Sequence, residues 1–585
     1  MAALLKKGFS LFLCFFYFAI TSIGQTPTGP SYVIVHVNVI PMTSDTILKN
    51  KMVTIKNGII MAISNSNKPP AGYKRIDGTG KYLLPALSDM HVHLYLESDL
   101  GLYLSSGIGT VMNMDGKEPA HLYWKKLATS AKLVSPDIFT CGPKFNRKFG
   151  DGAAEEVHRQ AMAGYDAIKL YNNVPVEEYQ SIMNAAKLNK LITVGHIPRG
   201  VGFKETLNSG QVLAHIEEFL ATYFRDDFHY PIDSIKHERD ITPIIDLMIA
   251  NKTMVIATLV TYKQIVEQVA DLNTFLKRKE LSVLPEPLRD AKKADRNVYF
   301  KGFKSSQVEI LQKNYELLKK IIRTLYDRGA LLLSGTDAPD VGPVPGFSLL
   351  EELNEYSKLG MSNYDILKTT TVNPAIFLRQ QSKFGMVVPG MDAKLILLSD
   401  NPLTSINNLS QIEGIFLKNR WLTKQKLELI KKQSINYFVV KTTELANKID
   451  RAPDTVISYL EKNDPYSLLS AQLLITYLNL HGQSALYELL TKIKSKFPGN
   501  MLIKEGTINN LGYTLLQKKE NLLAIEIFDI NTKLNPSSAN CFDSLAESWL
   551  STGNKEKAIL YYKKALEIDP SYPNATVARR IVAGN

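Results

Sequence analysis

Residues 83–94 read LLPALSDMHVHL. The stretch opens apolar, passes Pro85 and closes on two histidines one residue apart. In a strand, residues i and i+2 share a face, so His91 and His93 project together. The same arrangement recurs further along, as a short apolar run that ends on a polar side chain. YDAIKLY (165–171) carries Lys169, LITVGH (191–196) ends on His196, QVLAH (211–215) on His215 and ALLLSGTD (330–337) on Asp337. With IGTVMNM (108–114), DIFTCG (137–142) and TMVIAT (253–258), and counting the first run from Tyr82, there are eight such runs, with helical stretches between them. Eight alternating units predict an α/β fold, a distorted (β/α)8 barrel over residues 87–385. Barrel enzymes keep their sites at the C-terminal ends of the strands. One polar strand end is ordinary. Five ends that jointly supply His, Lys, His, His and Asp are hard to explain by packing, and imidazole and carboxylate donors suit a zinc-class ion.

The flanks have a different period. SYVIVHVNVI alternates, and KMVTIKNGIIMAIS is two strands joined at Asn57-Gly58, a hairpin signal. MVVPG, AKLILLS and IEGIFLKNRWL return to short strands after the barrel. Residues 31–86 and 386–424 are therefore expected to form one composite β-sandwich. The helical, charged stretch 259–329 reads as an insertion over a barrel loop. Residues 430–585 form an all-α region with a repeat. Pro536 and Pro570 stand 34 residues apart, and counting back from each pairs Leu511 with Leu545, Gly512 with Ala546, Ala524 with Ala558 and Phe528 with Tyr562. Small residues where helices cross, at this period, are the tetratricopeptide pattern. Its concave face is expected to take a peptide or protein partner. Because the barrel carries every candidate ligand, a chain ending near 425 is expected to keep its activity.

The 585 residues carry 69 Lys and Arg against 57 Asp and Glu, a mild excess of +12. With 45% hydrophobic and 22% charged residues, wholesale disorder, a collagen-like fibre and a disulfide-stapled mini-protein are excluded. No dense basic run marks a nucleic-acid groove, so no nucleic-acid partner is expected. Residues 1–24 place Lys6 and Lys7 before the apolar run from Leu11 to Ile20, then Ser22 and Gly24. That is the layout of a cleaved signal peptide and predicts a periplasmic or secreted protein. No later stretch is apolar enough for a membrane span, so no integral membrane protein is expected. Cys141 and Cys541 read as two buried free thiols.

These motifs resemble the amidohydrolase superfamily. LLPALSDMHVHL is similar to its PGLxDxHxH motif, and GTD to its final aspartate motif. NGIIMAIS with IDGTGKYLLP, and later GMVVPGMDAKLILLSDNPL, resemble the two halves of the small sandwich in imidazolonepropionase-like members. GHIP and AHIEEFL resemble the exported, Xaa-Pro-dipeptidase-like branch. Ala86, Lys394 and Ala214 depart from the pattern, and none of them is a ligand position. The resemblance implies one or two divalent ions, Zn2+ by class. His91 and His93 would bind the more buried ion, His196 and His215 the second, and Lys169, carboxylated by CO2, would bridge them. Asp337 would touch the first ion and carry the proton. The function implied is an exported metal-dependent hydrolase of carbon–nitrogen bonds in small peptides. Its alternatives are a hydrolase of cyclic amides, lactones or other esters, and a non-catalytic scaffold that recruits partners through the tail. The filled ligand positions argue against the scaffold. Tyr171, Arg199 and Tyr262 follow barrel strands and are candidate substrate contacts, whereas His121 reads as a packed histidine.

Overall fold

A computed structural model describes residues 29–66, 68–224 and 240–584. The signal read in residues 1–24 lies outside them. Before the barrel come β1 (Tyr32–Val39), β2 (Leu48–Lys56), β3 (Ile59–Ser64), β4 (Lys74–Asp77) and β5 (Tyr82–Pro85). The barrel strands are β6 (Leu87–Val92), β7 (Ile108–Asn113), β8 (Asp137–Thr140), β9 (Ala167–Leu170), β10 (Ile192–Gly195), β11 (Val212–Ala214), β12 (Met254–Ile256) and β13 (Leu331–Leu333). After it come β14 (Leu395–Leu398), β15 (Ile412–Leu417) and β16 (Arg420–Thr423).

The eight outer strands form one hydrogen-bonded sheet in the order β16-β15-β14-β5-β1-β2-β3, with β4 also paired to β1. Three pairings separate β15 from β1, about 14 Å in a flat sheet. Yet the rings of Tyr32 and Phe416 meet edge-on at 5.0 Å. The sheet is therefore folded over on itself around a shared core that includes Ile34, Val53, Leu83 and Leu395. A bulge in β1 between Ile34 and Val37, with His36 at φ 55°, lies where the strand changes partner from β4 to β5.

The barrel is parallel throughout and divides into β6-β7-β8 and β9 to β13. Two seams close it. Gly142 N donates to Ala167 O at 3.0 Å on one side, and Met90 N to Ser334 O at 3.0 Å on the other. The run read as one strand from Tyr82 is in fact two. Pro85 ends the β5 ladder, Ala86 N donates to Lys394 O, and Leu87 N already donates to Gly107 O. The chain thus passes from sheet to barrel at a single residue. Lys394 fastens that corner, with Nζ 2.5 Å from Asp137 Oδ2 and 3.0 Å from Thr110 Oγ1. Cys141 and Cys541 are free and buried. Among the described residues no helix is long and apolar enough to cross a membrane.

The tail is a run of helices, Lys424–Lys448, Pro453–Asn463, Leu468–Lys496, Glu505–Gln517, Asn521–Leu534, Ala539–Ser551, Lys555–Ile568 and Ala575–Val582. The repeat positions pack as their size predicts: Ala524, Phe528, Leu545, Ala546 and Ala558 are all fully buried. The first helices of the tail lie against the barrel. Leu96, from the loop after β6, belongs to the tail's own core. A Cβ on Gly101, in the Asp99–Ser105 helix, would come 2.1 Å from Ser434 Oγ. Only glycine admits so close a helix crossing.

Candidate metal centre

Every candidate ligand lies at the C-terminal end of a barrel strand. His91 is the next-to-last residue of β6, and His93 directly follows the strand. Lys169 is the third residue of β9. His196 and His215 come directly after β10 and β11, and Asp337 lies four residues beyond β13. Backbone geometry turns them inward. A Cβ at Gly195 would meet Leu170 O at 2.1 Å, so His196 must be preceded by glycine. His215 and Asp337 adopt φ of 74° and 60°. Left-handed backbone costs about 1–3 kcal/mol at such a non-glycine residue and clusters at functional sites.

The six side chains meet in one place. Donor atoms of His91, His93 and Asp337 lie within 4.8 Å of one another. His93 Nε2 donates to Asp337 Oδ1 at 3.0 Å. His91 Nε2 is also 3.0 Å from that oxygen, but without hydrogen-bond geometry, and neither of its ring nitrogens has a hydrogen-bond partner among the described residues. Ring centroids of His91 and His215 are 4.4 Å apart, and those of His215 and His196 4.7 Å. Lys169 is fully buried, and its Nζ has no hydrogen-bond partner among the described residues. Unpartnered buried polar atoms are rare and costly. Here those of His91 and Lys169 lie beside the other imidazoles and the Asp337 carboxylate, and imidazole nitrogen and carboxylate oxygen are donors of the kind zinc-class ions take. The residues fit a metal.

Burial also sets the protons. It pushes the His91 imidazole down to about 3, helped by the Lys169 charge. Burial and the nearby His91 drive His215 well below its ordinary value. Lys169 is lowered chiefly by burial. Burial opposes ionisation of Asp337, but His91 beside it and the hydrogen bond from His93 outweigh it and hold the carboxyl well below its usual range. Neutral imidazoles beside a carboxylate are in the protonation states that metal binding requires. His93 differs. Burial pushes it down, and Asp340 with Asp337 more than offsets that and raises it.

Further residues, absent from the candidate ligand list read from the sequence, hold the ligands. Glu218 Oε1 accepts from His196 Nδ1 at 2.7 Å, and its other oxygen accepts from Ile197 N at 3.1 Å. Thr258 Oγ1 lies 2.9 Å from His215 Nδ1. Both histidines are thus committed at Nδ1, which leaves Nε2 as the ligand atom. Glu218 sits within AHIEEFL and Thr258 closes the run TMVIAT, so both had a sequence signal that the ligand list did not use. Asp89 lies behind the ligands. Its carboxylate accepts from Thr336 Oγ1 at 2.7 Å and from the backbone of Thr336 and His91, tying β6 to the chain after β13. His121 is a satisfied core residue, with Nε2 donating to Leu94 O at 2.8 Å and Nδ1 accepting from Lys117 N.

The centre opens into a cavity of about 540 Å3. Tyr171, Tyr95 and Asp340 line one part, and Lys292, Arg296 and Tyr299 from the 259–329 stretch line another. That stretch covers the mouth. Of the three candidate substrate contacts, Tyr171 lines the cavity; Arg199 and Tyr262 do not.

A parallel barrel whose strand ends gather imidazoles, a carboxylate and a buried lysine is the arrangement of a barrel hydrolase with a candidate metal site. The chain belongs to the amidohydrolase family, which matches residues 82–422, more than half of its length. A tetratricopeptide repeat matches residues 544–572. Among solved structures, a Xaa-Pro dipeptidase with bound methionine in its active site is similar at 18% identity and a TM-score of 0.52, over 67% of this chain and 100% of that one. Bottromycin amidohydrolase is similar at 18% and 0.56, over 70% and 90%. Ochratoxinase from A. niger is similar at 16% and 0.51, over 68% and 96%. At these identities the likeness is one of fold. No curated protein sequence matches the chain.

Proposed function

We propose that the protein is an exported, metal-dependent hydrolase of amide bonds in short peptides. The observation that carries this reading is the convergence of His91, His93, Lys169, His196, His215 and Asp337: His93, His196, His215 and Asp337 line one cavity, and the donor atoms of His91 and Lys169 are buried without a hydrogen-bond partner among the described residues. His91, His93 and Asp337 would hold one divalent ion, and His196 and His215 a second, zinc by donor type. Such ions acidify water and polarise a scissile carbonyl. The Lys169 amine would add to CO2, losing one proton, and the carbamate would supply the two oxygens an ammonium lacks. Asp337, with one oxygen 3.0 Å from both His91 and His93, would take a proton and deliver it to the leaving nitrogen. Glu218 and Thr258 hold the two outer imidazoles in register.

The dipeptidase-like reading of the substrate draws on the GHIP and AHIEEFL motifs and on the likeness to a Xaa-Pro dipeptidase. A cavity of about 540 Å3 suits a short chain better than a folded protein. Export rests on residues 1–24 alone. A repeat array is a protein-binding architecture, and the helices from 505 onward are the part of the chain that fits a protein partner.

The test is a screen of purified protein against dipeptides, with Xaa-Pro included, and against lactones. Dipeptide hydrolysis that His91→Ala abolishes is the expected result. Hydrolysis of lactones alone would move the assignment to esters.

A further inference from the structure

All the chemistry assigned above comes from the barrel, yet the tail reaches the same mouth. Between the helices Pro453–Asn463 and Leu468–Lys496 the chain turns through Asp464, Pro465, Tyr466 and Ser467. The turn is braced. The Asp464 carboxylate accepts from Leu469 N at 3.0 Å and Ser470 N at 2.7 Å. Asn463 Oδ1, one residue before the turn, accepts from the indole of Trp124 in the barrel at 3.0 Å. Tyr466 is thereby aimed at the loop after β6. Its ring stacks on Tyr95, with centroids 4.1 Å apart and planes inclined by 23°, a favourable aromatic arrangement. The Tyr95 hydroxyl donates to Asp340 Oδ1 at 2.5 Å. Asp340 Oδ2 lies 3.7 Å from His93 Nε2. A path of contacts therefore runs from the tail to a candidate ligand through Tyr466, Tyr95, Asp340 and His93.

We propose that the tail is a working part of the barrel mouth, and that Tyr466 is a positioning residue that holds Tyr95, and through its hydroxyl the Asp340 carboxylate, against His93. The proposal rests on the metal-hydrolase reading above and departs from the expectation that a chain ending near 425 keeps its activity. Tyr95 lies on a loop, and the Asp340 side chain is 37% exposed. Neither would be fixed by its own strand. The stacked ring supplies the missing restraint. The Tyr466 hydroxyl is buried without a hydrogen-bond partner among the described residues, so it is the ring face that does the positioning, and phenylalanine should replace it.

The experiment uses the full chain, stripped of metal and titrated with Co2+ while its visible absorption is followed, alongside kcat and KM on a substrate from the screen. Tyr466→Ala and Tyr95→Phe should each weaken Co2+ binding and lower kcat by about tenfold, the scale for groups that orient a metal ligand. Each should also shift the Co2+ band, with KM changing less than kcat. The double variant should be no worse than either single one, because both break one path. Tyr466→Phe, which keeps the stack, should restore binding and turnover to within about twofold of wild type. If Tyr466→Ala lowers the melting temperature, Tyr466→Leu keeps apolar volume without the stack and should show the same Co2+ shift. Wild-type Co2+ affinity and spectrum in Tyr466→Ala would overturn the proposal. So would Tyr466→Phe being as damaging as alanine, which would make the hydroxyl a direct substrate contact, or losses that multiply in the double variant. The predicted Co2+ response without any hydrolysis in the screen would leave Tyr466 as assigned and reject the hydrolase reading. Hydrolysis with an unresponsive Co2+ spectrum would do the reverse.

Discussion

The barrel mouth and the helical tail both bury polar side chains, and one group in each makes the contrast. In the tail the buried Asp543 carboxylate accepts from Tyr572 Oη at 2.6 Å and from Asn574 Nδ2 at 3.1 Å. Behind the mouth the ring nitrogens of His91 and the amine of Lys169 have no hydrogen-bond partner among the described residues. Unmet hydrogen bonds cost stability, and those of His91 and Lys169 lie together where a ligand would satisfy them. The tail's small residues, by contrast, answer to helix crossing alone. Substitutions in the mouth should therefore cut activity more than stability, and those in the repeat should do the reverse.

The largest effect expected is that of Asp337→Asn, which keeps the shape but removes the proton carrier. Steady-state rates should fall by about 10^2–10^4, the range for a lost general acid–base, while the circular dichroism spectrum stays that of wild type. Unchanged turnover would erase the contrast between the regions. Glu218→Gln should act through His196, lowering metal affinity by about 10–100-fold in a chelator competition. In the tail, Ala558→Leu should overpack a fully buried crossing and lower unfolding stability by about 1–3 kcal/mol, read by denaturant titration, with the Co2+ spectrum unaltered. Wild-type stability there would mean the crossing is loose.

The smallest effect concerns the corner between sheet and barrel. Burial raises the Asp137 carboxyl, but Lys394 and Lys418 outweigh it and leave the group below its ordinary 3.8. A group depressed in the folded state contributes stability above its unfolded pKa and loses it as pH falls through the folded value. Lys394→Ala should therefore cost stability at neutral pH and progressively less below pH 3.8. A constant difference between the two proteins across that range would remove Asp137 from the account.

Strand ends were legible because each couples a period-two apolar run to a polar residue. All eight runs recur as barrel strands, though the first also feeds β5. The six ligand candidates were legible for the same reason. Thr258 shared that signal as the end of TMVIAT, but its bond to His215 did not show, and Asp340 carried no signal. Their roles depend on which loops face each other across the barrel, and local pattern does not encode that. Lys394 read as a neutral departure at a corner, and its work lies in a partner, Asp137, more than 250 residues away in sequence. The docking of the tail was hidden in the same way. Tyr466 and Tyr95 are ordinary tyrosines until the fold stacks them.

The central claim is that the convergent side chains hold metal that the reaction needs. Metal analysis of the full-length protein, purified without chelator and set beside His91→Ala, tests it most directly. The account predicts about two zinc-class ions per chain in the wild type, with metal and hydrolysis lost together in the variant. Full turnover by thoroughly chelated, metal-free protein would contradict it.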